Sequence, residues 1–168
     1  MRALIVCGSP RRDGCTGSMC AGLAEGLAEG GFGSAETLRP AEMDIGFSEG
    51  EDDMAEVFSA FREADLFVLA TPVYFNGPSA LIKSVVDRFD PYWHNGGKHP
   101  RYMACMICGG SPEPNFRNTE SIFKSLCNTV GSEWLGALEI GGSDHADNVA
   151  FFVRAKEFGK MLAHSVSR

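Results

Sequence analysis

The stretch Gly8-Ser9-Pro10-Arg11-Arg12-Asp13-Gly14-Cys15-Thr16-Gly17-Ser18 concentrates more chemistry than any other part of this chain. Glycines, three hydroxyls and two guanidinium groups lead into a segment of helical composition. Amide N–H groups at such a junction, the positive end of a helix dipole and the Ser9, Thr16 and Ser18 hydroxyls together suit a phosphate. Arg11 or Arg12 adds a charge-assisted contact. A plain strand-to-helix turn with surface arginines is the other reading, and position with composition tilts the choice towards phosphate. Spacing excludes several known phosphate loops. Gly8 and Gly14 are too far apart for a Walker loop, and Cys15 stands where that loop needs Lys. Pro10 takes the place of the second glycine in G-x-G-x-x-G. Arg12 comes one residue too early after Cys7 for the Cys-x5-Arg of a phosphatase. Ala70-Thr71-Pro72 lacks the acceptor Asp of a phosphoreceiver domain.

A second stretch, Thr71-Pro72-Val73-Tyr74-Phe75-Asn76-Gly77, offers the aromatic faces of Tyr74 and Phe75 and the amide donors of Asn76 and Gly77. These suit a planar heteroaromatic ring and its polar edge. They would serve equally as a rigid turn sealing the end of a sheet. Gly109-Gly110-Ser111 forms a third small-residue loop. Cys105-Met106-Ile107-Cys108 is formally C-x-x-C, but residues three apart on a strand point to opposite faces, which favours core filling over redox or metal chemistry. Asp144-His145-Ala146-Asp147 and the scattered His94, His99 and His164 lack metal-ligand spacing and read as surface loops. No G-x-S-x-G elbow is present. Asp90–Gly97 is an aromatic, turn-rich insertion that suits a lid, a subunit contact or a surface-packed loop.

The elements that must hold these loops follow from hydrophobic pattern. Ala3–Cys7, Leu66–Ala70, Met103–Cys108 and Trp134–Ile140 are short apolar runs of the kind found in strands buried on both faces; Ala35–Leu38 is a weaker fifth. Helical spacing marks Ser18–Gly30, Met54 to Phe61, Leu81 to Phe89 with Ser79 as N-cap, Ile122 to Val130, and Val149 to Leu162. Strict alternation predicts an open parallel sheet with helices on both faces, and ligands in such sheets bind beyond the strand C-termini where strand order reverses.

The chain has 168 residues, 15 Lys and Arg against 22 Asp and Glu, and a net charge of −7. The length suits a single domain over residues 1–168, and no linker or repeat divides it. The acidity excludes a broad nucleic-acid or anionic-membrane surface. The first apolar run is too short for a signal-peptide core and no run approaches a membrane span, so a cytoplasmic protein with reduced thiols is expected.

Taken together, these residues resemble the flavodoxin-like NAD(P)H-dependent FMN reductase family, including its iron–sulfur flavoprotein branch. The family's G-S-P-R-x-x-G-N-T loop appears as Gly8-Ser9-Pro10-Arg11 and Gly14-Cys15-Thr16. Its P-V-Y-F/W signature appears as Pro72-Val73-Tyr74-Phe75, followed by Lys83 and Asp87-Arg88. The resemblance implies a three-layer flavodoxin-like sandwich with a five-stranded parallel sheet in the order 2-1-3-4-5. It implies FMN as cofactor and NADH or NADPH as co-substrate. It places Ser9, Pro10, Arg11, Cys15 and Thr16 around the FMN phosphate. Thr71, Pro72, Val73, Tyr74, Phe75, Asn76 and Gly77 would border the isoalloxazine ring, with Gly109, Gly110 and Ser111 at its other edge. The chemistry then belongs to the flavin, with electrons passing to a small acceptor such as a quinone or a flavin and no side chain needed as acid or base. A flavodoxin-like electron carrier is the alternative. The resemblance also implies a homodimer or homotetramer. Two departures stand out: Cys15 replaces the family's Asn, and Arg39 to Met54 contains no cysteine, which rules out the iron–sulfur cluster that the branch carries there.

Overall fold

The computed structural model describes residues 1–111, 116–144 and 147–167. In chain order the elements are β1 (Arg2–Cys7), α1 (Cys15–Glu29), β2 (Ser34–Leu38), a 3-10 turn (Pro40–Glu42), α2 (Met54–Glu63), β3 (Leu66–Tyr74), β4 (Gly77–Pro78), α3 (Ala80–Asp87), α4 (Asp90–Asn95), β5 (Tyr102–Cys108), α5 (Arg117–Val130), β6 (Glu133–Ile140) and α6 (Asn148–Val166). The main strands pair in parallel in the order β2-β1-β3-β5-β6, so strand order reverses at β1 and β3. This is the expected 2-1-3-4-5 sheet, with one addition. The short β4 pairs antiparallel with the end of β3, making six strands where five were expected.

The apolar strands are buried on both faces because each alternate residue enters a different core. Ile5, Val68, Ala104 and Met106 face α1 and α6, with Leu23, Leu27, Phe151 and Leu162. Leu4, Phe67, Leu69 and Ile107 face α2, α3, α4 and α5, with Phe61, Ile82, Phe89 and Phe123. Cys105 and Cys108 divide between these two cores, as the strand period requires. All six cysteines are free thiols.

Three details differ from the sequence reading, and a fourth adds to it. Helix α1 begins at Cys15, three residues earlier than Ser18, so it rises directly from the Gly-rich loop. Strand β3 continues past Ala70 to Tyr74, because Phe75 (φ 50°) and Asn76 (φ 62°) form a two-residue reversal that returns the chain antiparallel. The Asp90–Gly97 insertion is helical over α4. Its Tyr92 is buried against Phe58, Phe61 and Phe89, whereas Trp93 is exposed. The long connection from β2 to α2 is ordered by carboxylates: Asp52 accepts from the Gly46 and Met54 amides and pairs with the buried Arg88, and Asp53 accepts from the Asp44 amide. The Arg88 guanidinium beside it holds the Asp52 carboxyl below the usual carboxylate range.

Candidate functional site

Three loops meet beyond the C-terminal ends of β1, β3 and β5, and specific hydrogen bonds fix them to one another. The Gly8 amide donates to the Ala70 carbonyl at 2.8 Å, and the Ser79 hydroxyl donates to the Gly8 carbonyl at 2.6 Å. Ser79 also accepts from the Ile82 amide and so caps α3, the role its position after Pro78 predicts. The Thr16 hydroxyl lies 3.2 Å from the Cys108 sulfur, joining the first loop to the end of β5. Beyond β5, the Gly109 amide donates to the Ile140 carbonyl, and the Gly142 and Ser143 amides donate back to Ser111 and Gly109. The expected switch-point loops are therefore a single locked rim.

Within the first loop the side chains divide by role. Ser9 is buried, and its hydroxyl both donates to the Arg11 carbonyl and accepts from the Arg11 amide, which closes a tight turn. Thr16 is buried under the loop. Pro10 and Arg11 are exposed; Arg11 forms no ion pair among the described residues, and its guanidinium curls over Gly14. Arg12 is committed to Glu42. The half-buried Cys15 directs its thiol at the Ser143 carbonyl and the Asn148 side-chain oxygen. No side chain caps α1 and its first turn holds no acidic residue. The first amides of a helix have no partner inside it, so this end presents backbone donors and dipole charge. An open cleft of about 510 Å³ lies in front of them, bordered by residues 11 to 15, with both arginines and Asp13 among them, and by Ser143 and Asn148.

The second loop contributes a surface. Thr71 is buried, donating its hydroxyl proton to the Pro72 carbonyl and accepting from the Ser79 amide. Pro72, Val73 and Gly77 are half-buried, while Tyr74, Phe75 and Asn76 are exposed. Phe75 is fully exposed and sits at positive φ, a conformation costing a non-glycine residue roughly 1 kcal/mol or more. Strain and an uncovered ring occur together at this one residue. In the third loop Gly109 is buried, Gly110 half-buried and Ser111 exposed. At Gly110 the space a Cβ would take is filled by the Asp144 carboxylate, which packs directly on the Gly110 backbone.

Arg39 is the residue that sequence reading missed. It follows β2, outside every candidate loop, and its side chain is only 12% exposed. Its guanidinium donates to the Arg11 carbonyl at 3.0 Å, the Ser9 carbonyl at 3.5 Å, the Cys7 sulfur at 3.3 Å and the Glu42 carboxylate at 2.9 Å. Hydrogen bonding from Cys20, then from the Ser9 amide and Arg39, outweighs burial and draws the Cys7 thiol down to about 6. The Cys20 thiol is driven upwards by the same pairing and by burial. Burial pushes Cys108 up to about 11. Among the described residues no three His, Cys, Asp or Glu side chains are placed to hold a metal. Of the Asp144–Asp147 stretch, His145 and Ala146 lie outside the described residues. Among those residues no helix is long and apolar enough to cross a membrane.

With this geometry in place, comparison with known proteins is informative. Residues 1–143 match the family model described as NADPH-dependent FMN reductase. An iron–sulfur flavoprotein from Archaeoglobus fulgidus is 29% identical over 128 residues, a match that covers 67% of this chain and 58% of that protein. The chain thus spans less than two thirds of that relative's length. Among solved structures, a flavone reductase superposes with a TM-score of 0.81 at 21% identity, covering 99% of this chain and 63% of the other. An NAD(P)H:quinone oxidoreductase from Methanothermobacter marburgensis superposes with a TM-score of 0.78 at 19% identity, covering 98% of both chains. At these identities the structural likenesses establish the flavodoxin-like fold.

Proposed function

Because this chain belongs to the NADPH-dependent FMN reductase family, we propose that it binds FMN at the switch-point rim, takes a hydride from NADPH or NADH, and passes electrons to a small acceptor such as a quinone or a flavin. The observation that carries this reading is the convergence of three loops: an uncapped helix end in one, with Arg11 free of ion pairs among the described residues, and exposed aromatics in the next.

The residues present fit the group. A phosphate monoester needs several donors, which the α1 amides and Arg11 supply, and the two arginines at the cleft outnumber the one carboxylate, Asp13, that borders it among the described residues. Ser9 and Thr16 contribute by shaping the loop from inside, and Cys15 borders the cleft in place of an amide side chain. The backbone of Gly109, Gly110 and Ser111 and the segment from Thr71 to Gly77 provide a flat, partly apolar frame for the ring. Bound isoalloxazine supplies the two-electron chemistry, accepting hydride and releasing electrons to the acceptor. The protein orients the reactants, and its backbone amides at the ring edge favour negative charge there. The reading takes residues 1–168 as one flavin-binding unit in the cytoplasm. A second copy, in a homodimer or homotetramer, would cover Tyr74 and Phe75.

The test is reconstitution with FMN followed by anaerobic mixing with NADPH or NADH, monitored by flavin absorbance. Bleaching by either nicotinamide, then reoxidation by a quinone, is the expected result. A protein that does not bind FMN in a fluorescence titration overturns the proposal. Bound flavin that stays oxidised with both nicotinamides identifies an electron carrier instead.

A further inference from the structure

The loop at residues 8–14 has no regular structure of its own, so something else must decide which way its peptides face. Arg39 is placed to do this. The Arg11 carbonyl accepts two hydrogen bonds, one from the Arg39 guanidinium and one from the Ser9 hydroxyl, which accounts for both of its lone pairs. In a trans peptide the N–H points opposite to the C=O. Pinning the Arg11 carbonyl on Arg39 therefore aims the Arg12 amide away from Arg39, in a stretch of loop that borders the cleft. The neighbouring Ser9 carbonyl is drawn inwards by the same guanidinium nitrogen, and its peptide is followed by Pro10, which has no N–H to present.

Glu42 completes the arrangement. It accepts from Arg39 and from Arg12, so one carboxylate neutralises the brace and at the same time pairs with Arg12 at the border of the cleft. Of the two loop arginines at the cleft, Arg12 is neutralised by Glu42, and Arg11 is the one that forms no ion pair among the described residues. The forked guanidinium suits this work, because it reaches two carbonyls, a sulfur and a carboxylate at fixed angles, which an ammonium cannot do.

We infer that Arg39 is a positioning residue for phosphate recognition: from outside the loop, it holds the 9–12 peptides in the orientation that binds the FMN phosphate. The inference rests on the FMN-binding reading above and deepens it. Its signature is selectivity for the phosphate. FMN and riboflavin share the ring and differ at the phosphate end, so a residue acting only on the phosphate loop affects one ligand and leaves the other unchanged.

The experiment titrates FMN and riboflavin, by quenching of flavin fluorescence, into wild type, Arg39→Ala and Arg39→Lys, with folding checked by circular dichroism. Arg39→Ala is expected to weaken FMN roughly 10- to 100-fold, the scale of losing hydrogen bonds from a charged donor, with riboflavin unchanged. Arg39→Lys keeps the charge and most of the bulk, so it provides the measurement if the alanine variant does not fold. It is expected to fall between wild type and alanine for FMN and to match wild type for riboflavin. Variants that bind FMN as wild type does, or that lose FMN and riboflavin by equal factors, overturn the inference and leave the flavin reading intact. Wild type that binds no FMN overturns both.

Discussion

The most direct probe of the rim is Gly8→Ala. Gly8 lies between β1 and the start of α3, where its amide and carbonyl are held by Ala70 and Ser79. Its φ lies outside the left-handed region, so alanine is acceptable to the backbone and the outcome depends on space. A Cβ there would lie 2.6 Å from the Ile82 Cβ, 2.9 Å from the Ser79 hydroxyl and 3.3 Å from the Ala70 carbonyl oxygen. Carbon atoms in contact prefer about 3.5–4.0 Å, so α3 and β1 must separate by roughly 1 Å. Ile82 and Ser79 are both buried, and the nearest atom is a Cβ that cannot rotate away. Overpacking of this kind costs about 1–3 kcal/mol, while replacing glycine returns about 0.4–1 kcal/mol by restricting the unfolded chain. Overpacking is the larger effect. We expect a net loss of roughly 1–2 kcal/mol, which lowers Tm by about 2–8 °C for a domain of this size. The shift also moves the Gly8 carbonyl off the α3 cap, so FMN affinity falls by roughly 10-fold, the equivalent of one or two hydrogen bonds. Gly14→Ala is the control for the stability effect alone, since Gly14 borders the cleft: it lies in the same loop, and its nearest contact would be an ordinary 3.6 Å. Thermal melts of both variants, and FMN titration of Gly8→Ala against wild type, decide the matter. If Gly8→Ala melts at or above the wild-type temperature and binds FMN equally well, the reasoning from close packing is wrong.

Two further outcomes follow from the same structure. Gly159 sits in α6 where a Cβ would meet the Leu23 carbonyl oxygen at 2.7 Å and the Leu27 amide at 2.9 Å, so α1 and α6 touch through backbone. Gly159→Ala gains up to about 1 kcal/mol of helix propensity but loses more to this overlap, and urea unfolding should place it below wild type. The Cys7 thiol, drawn from 9.0 to about 6 chiefly by the Cys20 hydrogen bond, links stability to pH. The folded state holds Cys7 as thiolate where the unfolded chain still binds the proton, so stability rises from pH 6 towards 9 and is lost as pH falls through about 6. Cys7→Ser, which does not titrate in this range, should flatten that slope. Parallel stability curves for wild type and Cys7→Ser between pH 6 and 9 would show that the thiolate contributes nothing.

Much of the fold can be read from the sequence, because the information is local. Buried strands such as Ala3–Cys7 and Met103–Cys108 are uninterrupted apolar runs, and Ser79 caps α3 from a position that any helix-start rule would find. The hairpin after β3 was harder to see. Two-residue reversals are signalled by residues that accept positive φ; Asn76 is one, but Phe75 in the first position is not, and it gave no such signal. Helix α4 was hidden because an aromatic segment with Pro, Asn and two glycines resembles a loop until Tyr92 finds a buried place among three aromatic rings.

The candidate site divides in the same way, and the division has a physical cause. Residues that would face a ligand lie in short contiguous loops, since a strand end delivers them together, and so Gly8 to Thr16 and Thr71 to Gly77 stand out in sequence. Residues that hold those loops in shape act across the fold. Arg39 reaches carbonyls 28 and 30 positions away, and its place in the sequence, between a strand and a 3-10 turn, does not distinguish it from any surface arginine. The hydroxyls show the converse. Ser9 and Thr16 have the residue type and spacing of phosphate ligands, yet each is buried and bonded inwards, one to its own turn and one to the end of β5. A small polar residue in a Gly-rich loop serves the backbone first, because an irregular loop has more unpaired peptide groups than any ligand could satisfy. On the FMN-binding proposal, an anion in this rim would meet backbone amides and Arg11 first, while the buried Ser9 and Thr16 hydroxyls shape the loop that presents them.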